Sequence, residues 1–95
     1  MFDQIKGAIL ALRAVHFSHN GRRRVAHPHL LGEGPRGLAL LYWQAGGSSK
    51  SNDLPGWRWA YLSDVSDVDT REENFAPRLD FNRLDDRFRR VDVSV

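Results

Sequence analysis

The stretch from Leu54 to Phe75, LPGWRWAYLSDVSDVDTREENF, limits the folds open to this chain more than any other. After a Pro55-Gly56 turn it alternates Trp57, Trp59 and Tyr61 with Arg58, Ala60 and Leu62, which in an extended backbone sets three large rings on one face. Rings packed that densely need a covering layer or a ligand. The alternation therefore predicts the middle strand of a small β-rich domain, forming one wall of its core or of a binding site.

A chain of 95 residues supports one domain and one core, and is too short for a two-lobed enzyme or a cofactor-binding α/β fold. The 41% hydrophobic content and ten aromatic rings argue for a folded protein and against intrinsic disorder. Cysteine is absent, which removes disulfides, thiol nucleophiles and cysteine zinc sites and suits a cytoplasmic protein. Ile5 to Val15 is interrupted by Lys6, Gly7 and Arg13, so neither a signal peptide nor a membrane span is expected. Net charge is only +2, so nucleic-acid binding would have to come from a local patch.

Phe2, Ile5, Ile9 and Leu12 recur at helical spacing, and Asp3 is the expected N-cap of a helix reaching about Arg13 within an N-terminal unit over 1–14. Val15 to Arg24 reads as a hairpin with Asn20-Gly21 at its tip. A three-residue loop over His19, Asn20 and Gly21, pairing Ser18 with Arg22, is the expected form; a two-residue turn would pair Phe17 with Arg24 instead. The second strand is expected to run to about Leu31, with Pro28 at an edge, a bulge or an end. Gly37 to Ala45, apolar on both faces, is expected to be central, with the helix on one side and sheet on the other. Gly46 to Gly56 has the composition of an exposed loop. Val65 and Val68 among Asp64, Asp67 and Asp69 suggest a bulge or a solvated strand face, and Phe75 and Pro77 close a bent sheet over 15–76. Phe81, Leu84, Phe88 and Val91 predict a C-terminal helix between Asn82 and Arg90, before a tail over 91–95 that alternates like a strand. The expected class is mainly β with flanking helices (α+β): a helix, a strongly bent antiparallel sheet of four or five strands, and a C-terminal helix and tail over 77–95.

The order of motifs resembles the WYL domain, closest to short stand-alone bacterial members. Val15 to Gly21 (VHFSHNG), Pro28-His29, Leu40 to Gln44 (LLYWQ), Gly46 to Ser49 (GGSS), Pro55 to Arg58 (PGWR), Leu62, Val65 and Phe75 carry the resemblance over roughly residues 5 to 78. It implies an Sm-like or SH3-like bent sheet behind an N-terminal helix. It also implies a non-enzymatic, regulatory module that senses a small anionic ligand or single-stranded nucleic acid. Arg58 matches the first arginine of the family's strand pattern. Tyr61 and Asp64 stand where that pattern has two more, Ala60 replaces its phenylalanine, His19 its first-strand tyrosine, and the name-giving triplet becomes Leu38-Ala39-Leu40.

The candidate ligand-binding residues are Arg58, Trp57, His19, Arg22, Arg23 and Arg24. Trp57, Trp59 and Tyr61 would stack on bases or pack into the core; Arg58, on the opposite strand face, shares no pocket with Trp57 unless the sheet bends there. The Arg22 to Arg24 run either contacts phosphate at the hairpin tip or forms a solvated charged edge. Arg83, Arg87, Arg89 and Arg90, interleaved with Asp85 and Asp86, are expected to form surface ion pairs. His27 and His29 share one side of a strand and could hold a metal with His19, yet no carboxylate is placed to complete the set. Gly32, Gly34 and Gly37 spell a dinucleotide fingerprint followed by a strand rather than a helix, which removes that reading. No serine sits on a strained elbow, and neither catalysis nor a cofactor is expected. The competing class is a structural interaction domain, self-associating or holding a regulatory partner through an exposed strand edge or the C-terminal tail, with Val91, Val93 and Val95 as its motive.

Overall fold

The computed structural model describes residues 1–48 and 55–95. Its elements in order are α1 (Phe2–Ala11), β1 (Arg13–His19), β2 (Arg22–Gly34), β3 (Gly37–Gly47), β4 (Gly56–Tyr61), a 3-10 turn (Leu62–Asp64), β5 (Val65–Asn74) and β6 (Arg90–Ser94). The strands form one antiparallel sheet in the order β4-β3-β2-β1-β5, with β6 also paired to β2. The two ends of that order, β4 and β5, are joined by only the three-residue 3-10 turn, so the sheet has to curl to bring its edges together there.

β2 organises the molecule. β3 pairs with it from Arg24 to Gly34, while the opposite edge is shared by β1 over its first half and β6 over Leu30 to Glu33. Pro28, which has no N–H to donate, falls in the gap between β1 and β6 and next to a register shift against β3, as a strand proline should. The strand continues to Gly34 rather than stopping at Leu31.

The inner face of the curl is filled by Ile5, Ala8 and Ile9 of α1, packed on Val15, Phe17, Ala26, Leu31, Leu40, Ala60 and Val65. The helix begins at Phe2 with Met1 as an N-cap that makes no side-chain bond, so Asp3 lies in the first turn instead of capping it. It ends at Ala11 because Leu12 turns left-handed, with φ of 54°, and sends the chain into β1.

Four further expectations are corrected. The first hairpin closes with a two-residue turn: His19 pairs with Arg22 and Phe17 with Arg24. Asn20 and Gly21 both have positive φ, 51° and 78°, which is the mirror-image turn whose twist matches the strands it joins. The aromatic strand β4 lies at one end of the strand order rather than in its middle. β3 is interior, but its second face is covered by the segment after Phe75 and not by further sheet. That segment holds no helix. Asn82 Oδ1 accepts the Leu84 N–H and Asp85 Oδ1 the Arg87 N–H, and these local bonds replace the helical ladder with successive turns. The alternating tail does form a strand, β6, on its own chain. The loop expected over 46–56 lies in part, at 49–54, outside the described residues.

Candidate functional site

Strand alternation sorts the sequence-predicted residues onto two faces. In β1 and β2 the inner face carries Phe17, His19, Arg24 and Ala26. Across the sheet, Tyr42 pairs with Arg58 and Leu40 with Ala60, so both pairs face the same interior. Next along β3 comes Gln44, fully buried although polar.

These residues meet at one end of the curl. Arg24 is 7% exposed, and its guanidinium donates from Nη1 to Gln44 Oε1 at 2.8 Å. Gln44 is fixed in turn by donating from Nε2 to the carbonyls of Gly46 (3.0 Å) and Ser48 (3.1 Å), which aims its oxygen at Arg24. His19 Nδ1 lies 3.2 Å from the Tyr42 hydroxyl, and the Tyr42 ring packs edge-on against Phe17 at 5.0 Å. Arg58 Nη1 donates to its neighbour's carbonyl, Trp57 O, at 2.9 Å. Arg24 Nε is buried and has no hydrogen-bond partner among the described residues.

The electrostatics follow from burial and from the two guanidinium groups. Burial raises the Tyr42 phenol above its ordinary value, opposed by the positive charges of Arg24 and Arg58. Burial also lowers His19, and Arg24 lowers it further, with Asp64 pulling partly the other way. His19 is thereby biased to its neutral form. The cluster thus presents a desolvated cation, a phenol and a neutral imidazole, all able to hydrogen-bond an anion.

Arg58, His19 and Arg24 therefore converge, while Trp57, Arg22 and Arg23 do not. Arg23 points to the outer surface, donating to Asp67 O at 2.7 Å, and Arg22 is exposed. A run of three arginines on a strand cannot act as one patch, because the middle one faces away from its neighbours. Tyr42 and Gln44 were missed by the sequence reading; the signal was a phenol and an amide two apart on an otherwise apolar strand.

Trp57 belongs to an outer aromatic layer. It stands edge-on to Trp43 (5.5 Å) and His29 (4.8 Å), and its indole N–H donates to Asp80 Oδ2 at 3.3 Å. Arg78 stacks over Trp43 at 3.5 Å, Phe81 lies against Trp57, and Phe88 and Arg87 cover Trp59. Two shallow cavities remain there: about 230 Å3 beside Pro35, Trp59, Tyr61 and Arg87, and about 210 Å3 between Leu41, Trp57 and Asp80, Asn82, Asp85 and Arg87. Their carboxylates are already engaged, Asp80 by Arg78 and Asp85 by Arg87.

The histidines separate in the same way. His29 directs Nδ1 at His27 O (2.8 Å), its Nε2 accepts the Arg78 N–H (3.1 Å), and His27 stacks flat on Phe75. Both nitrogens of His29 are thus occupied, and His19 is on the opposite face. Among the described residues no group of three or more histidine and carboxylate side chains is arranged to hold a metal, and no helix is long and apolar enough to cross a membrane. No protein-family model matches the chain, and no curated protein or solved structure matches it either.

Proposed function

We propose that this protein is a non-enzymatic recognition module of the Sm-like or SH3-like kind, similar to WYL domains, that binds a small anionic ligand at the Arg24 end of its curled sheet. The observation that carries the reading is the state of Arg24. A guanidinium this buried, bonded to a neutral amide and leaving Nε without an acceptor, is a desolvated charge whose natural complement is a carboxylate or phosphate oxygen. Arg58, Tyr42 and His19 surround it with further polarity. The helix, the curled order of strands and the 3-10 turn between β4 and β5 support the fold part of the reading.

A small ligand is favoured over single-stranded nucleic acid, because stacking needs open rings and those of Trp43, Trp57 and Trp59 are covered by 78–88 of the same chain. The interaction-domain reading has less support, since β6, the strand it relied on, is paired to β2. The test is a titration of the protein with inorganic phosphate, acetate, nucleoside monophosphates and oligothymidylate at several salt concentrations, following the His19 and Tyr42 resonances. One of the small anions should bind saturably, the oligonucleotide no tighter than the monomer, and Arg24→Met should weaken binding at least tenfold. Absence of saturable binding by all four, or full binding by Arg24→Met, overturns the reading.

A further inference from the structure

The segment between Phe75 and β6 is tied down at both ends. Phe75 N–H donates to Leu12 O, Arg89 N–H to Glu33 O, and β6 is laddered to β2. Between those ties it has no regular structure and rests on the outer rings through Arg78, Phe81, Arg87 and Phe88. Two hydrogen bonds hold its first turn to the sheet, one from the Trp57 indole N–H to Asp80 and one from the Arg78 N–H to Nε2 of His29. His29 has no solvent exposure, and its other ring nitrogen, facing His27 O at 2.8 Å, can only be a donor to that carbonyl. The ring is therefore held as the neutral tautomer with the proton on Nδ1.

We propose that residues 76–89 form an acid-released strap, latched by His29, whose opening uncovers the rings of Trp43 and Trp57. A proton added to Nε2 would face the Arg78 N–H, donor against donor, so the closed strap and the imidazolium exclude each other. The groups facing the ring pull both ways. The His27 carbonyl that accepts from Nδ1 favours the protonated ring, the His27 imidazole on β2 and Arg78 on the strap oppose it, and Asp80 favours it but is committed to Arg78 and to the Trp57 indole. Trp57 of β4, Phe75 and Phe81 contribute only apolar surface. Burial is the largest influence, and the ring's pKa lies below its ordinary 6.5. With the closed form titrating lower than the open one, the strap is at its firmest above 6.5 and loosens as pH falls toward the closed-state value. The two end ties keep this a local opening rather than unfolding.

The experiment is amide hydrogen exchange on the full chain from about pH 8 to about pH 5, corrected for intrinsic rates. Protection of the Arg78 and Phe81 amides should fall by up to about tenfold per pH unit through the transition, while the β2 amides of Leu31 and Val25 keep theirs. His29→Gln retains a donor for His27 O and an acceptor for the Arg78 N–H but has no proton to gain, so it should hold protection constant; His27→Gln should leave the transition in place. Should His29→Gln fail to fold, the imidazole nitrogen shifts of the unaltered protein decide, because His29 must titrate with the same midpoint as the loss of protection. Constant protection in the unaltered protein, a transition that survives His29→Gln or disappears in His27→Gln, a mismatch of midpoints, or simultaneous loss in β2 each overturns the latch.

Discussion

A guanidinium moved out of water is expensive to keep, and the two sides of the Arg24–Gln44 contact should respond unequally to mutation. Gln44→Leu strands the Arg24 charge and frees the Gly46 and Ser48 carbonyls, so it should cost about 2 kcal/mol in urea unfolding. Arg24→Met removes the charge and its need for a partner but leaves the buried Gln44 Oε1 without that donor, so it should cost less than Gln44→Leu, about 1 kcal/mol, and it removes the proposed binding. A residue retained at little benefit to the fold is what a recognition site leads one to expect; an Arg24→Met variant as damaged as Gln44→Leu would make the arginine a core-stabilising group instead. At this scale the sequence disclosed identity better than direction. Arg58 and His19 were legible as candidates, and strand parity alone separated Arg58 from Trp57. Arg24 became distinguishable from Arg23 only once the hairpin turn fixed the strand's parity, and from Arg22, which shares that parity, only by its burial.

Two glycines show how differently the elements tolerate a methyl group. Gly7 lies in α1, and a Cβ there meets nothing within 4 Å, so Gly7→Ala should stabilise by about 0.5–1 kcal/mol through helix propensity. On β2, a Cβ at Gly32 would collide with the Arg90 carbonyl oxygen, at the register shift where β6 docks. Gly32→Ala should therefore push β6 off its partner, lowering stability by roughly 1–3 kcal/mol. Amide exchange in 90–94 should increase before that in β1, and a variant with β6 fully protected would show the sheet yields elsewhere. The strands were readable because their period is two and their breaks are Asn-Gly, Gly-Pro and Pro-Gly pairs. The region after Phe75 was not, because Phe81, Leu84 and Phe88 match a helical stripe equally well. What separates the cases is long-range: Trp43, Trp57 and Trp59 offer their rings to Phe81, Phe88, Arg78 and Arg87 one by one along an extended path, leaving Leu84 mostly in solvent. β4 was misplaced to the middle of the sheet for a related reason. Burial on both sides of a strand pointed to more sheet, when the second cover was an irregular segment.

For the molecule as a whole, both layers depend on neutral imidazoles. His19 sits inside the curl, His27 is stacked on Phe75, and His29 lies beneath the strap; burial lowers the pKa of all three, with Arg24 adding to the effect at His19. Each ring takes up a proton more readily in the unfolded chain, near 6.5, than in the folded one, so unfolding absorbs protons between the folded values and 6.5. Stability should be level above that range and decline as pH falls through it. Asp80 and Asp85, whose pKa values are lowered by hydrogen bonds from Arg78 and Arg87, continue the decline at lower pH, weakly at Asp80, which is exposed to solvent. Urea midpoints measured across the range should therefore fall with acid in two stages. Substituting His29 alone should remove part of the first stage, since His19 and His27 remain. A first stage absent from the unaltered protein, or stability that rises on acidification, would mean the rings are charged in the folded state, and the neutral cluster beside Arg24 would have to be redrawn as a cationic one.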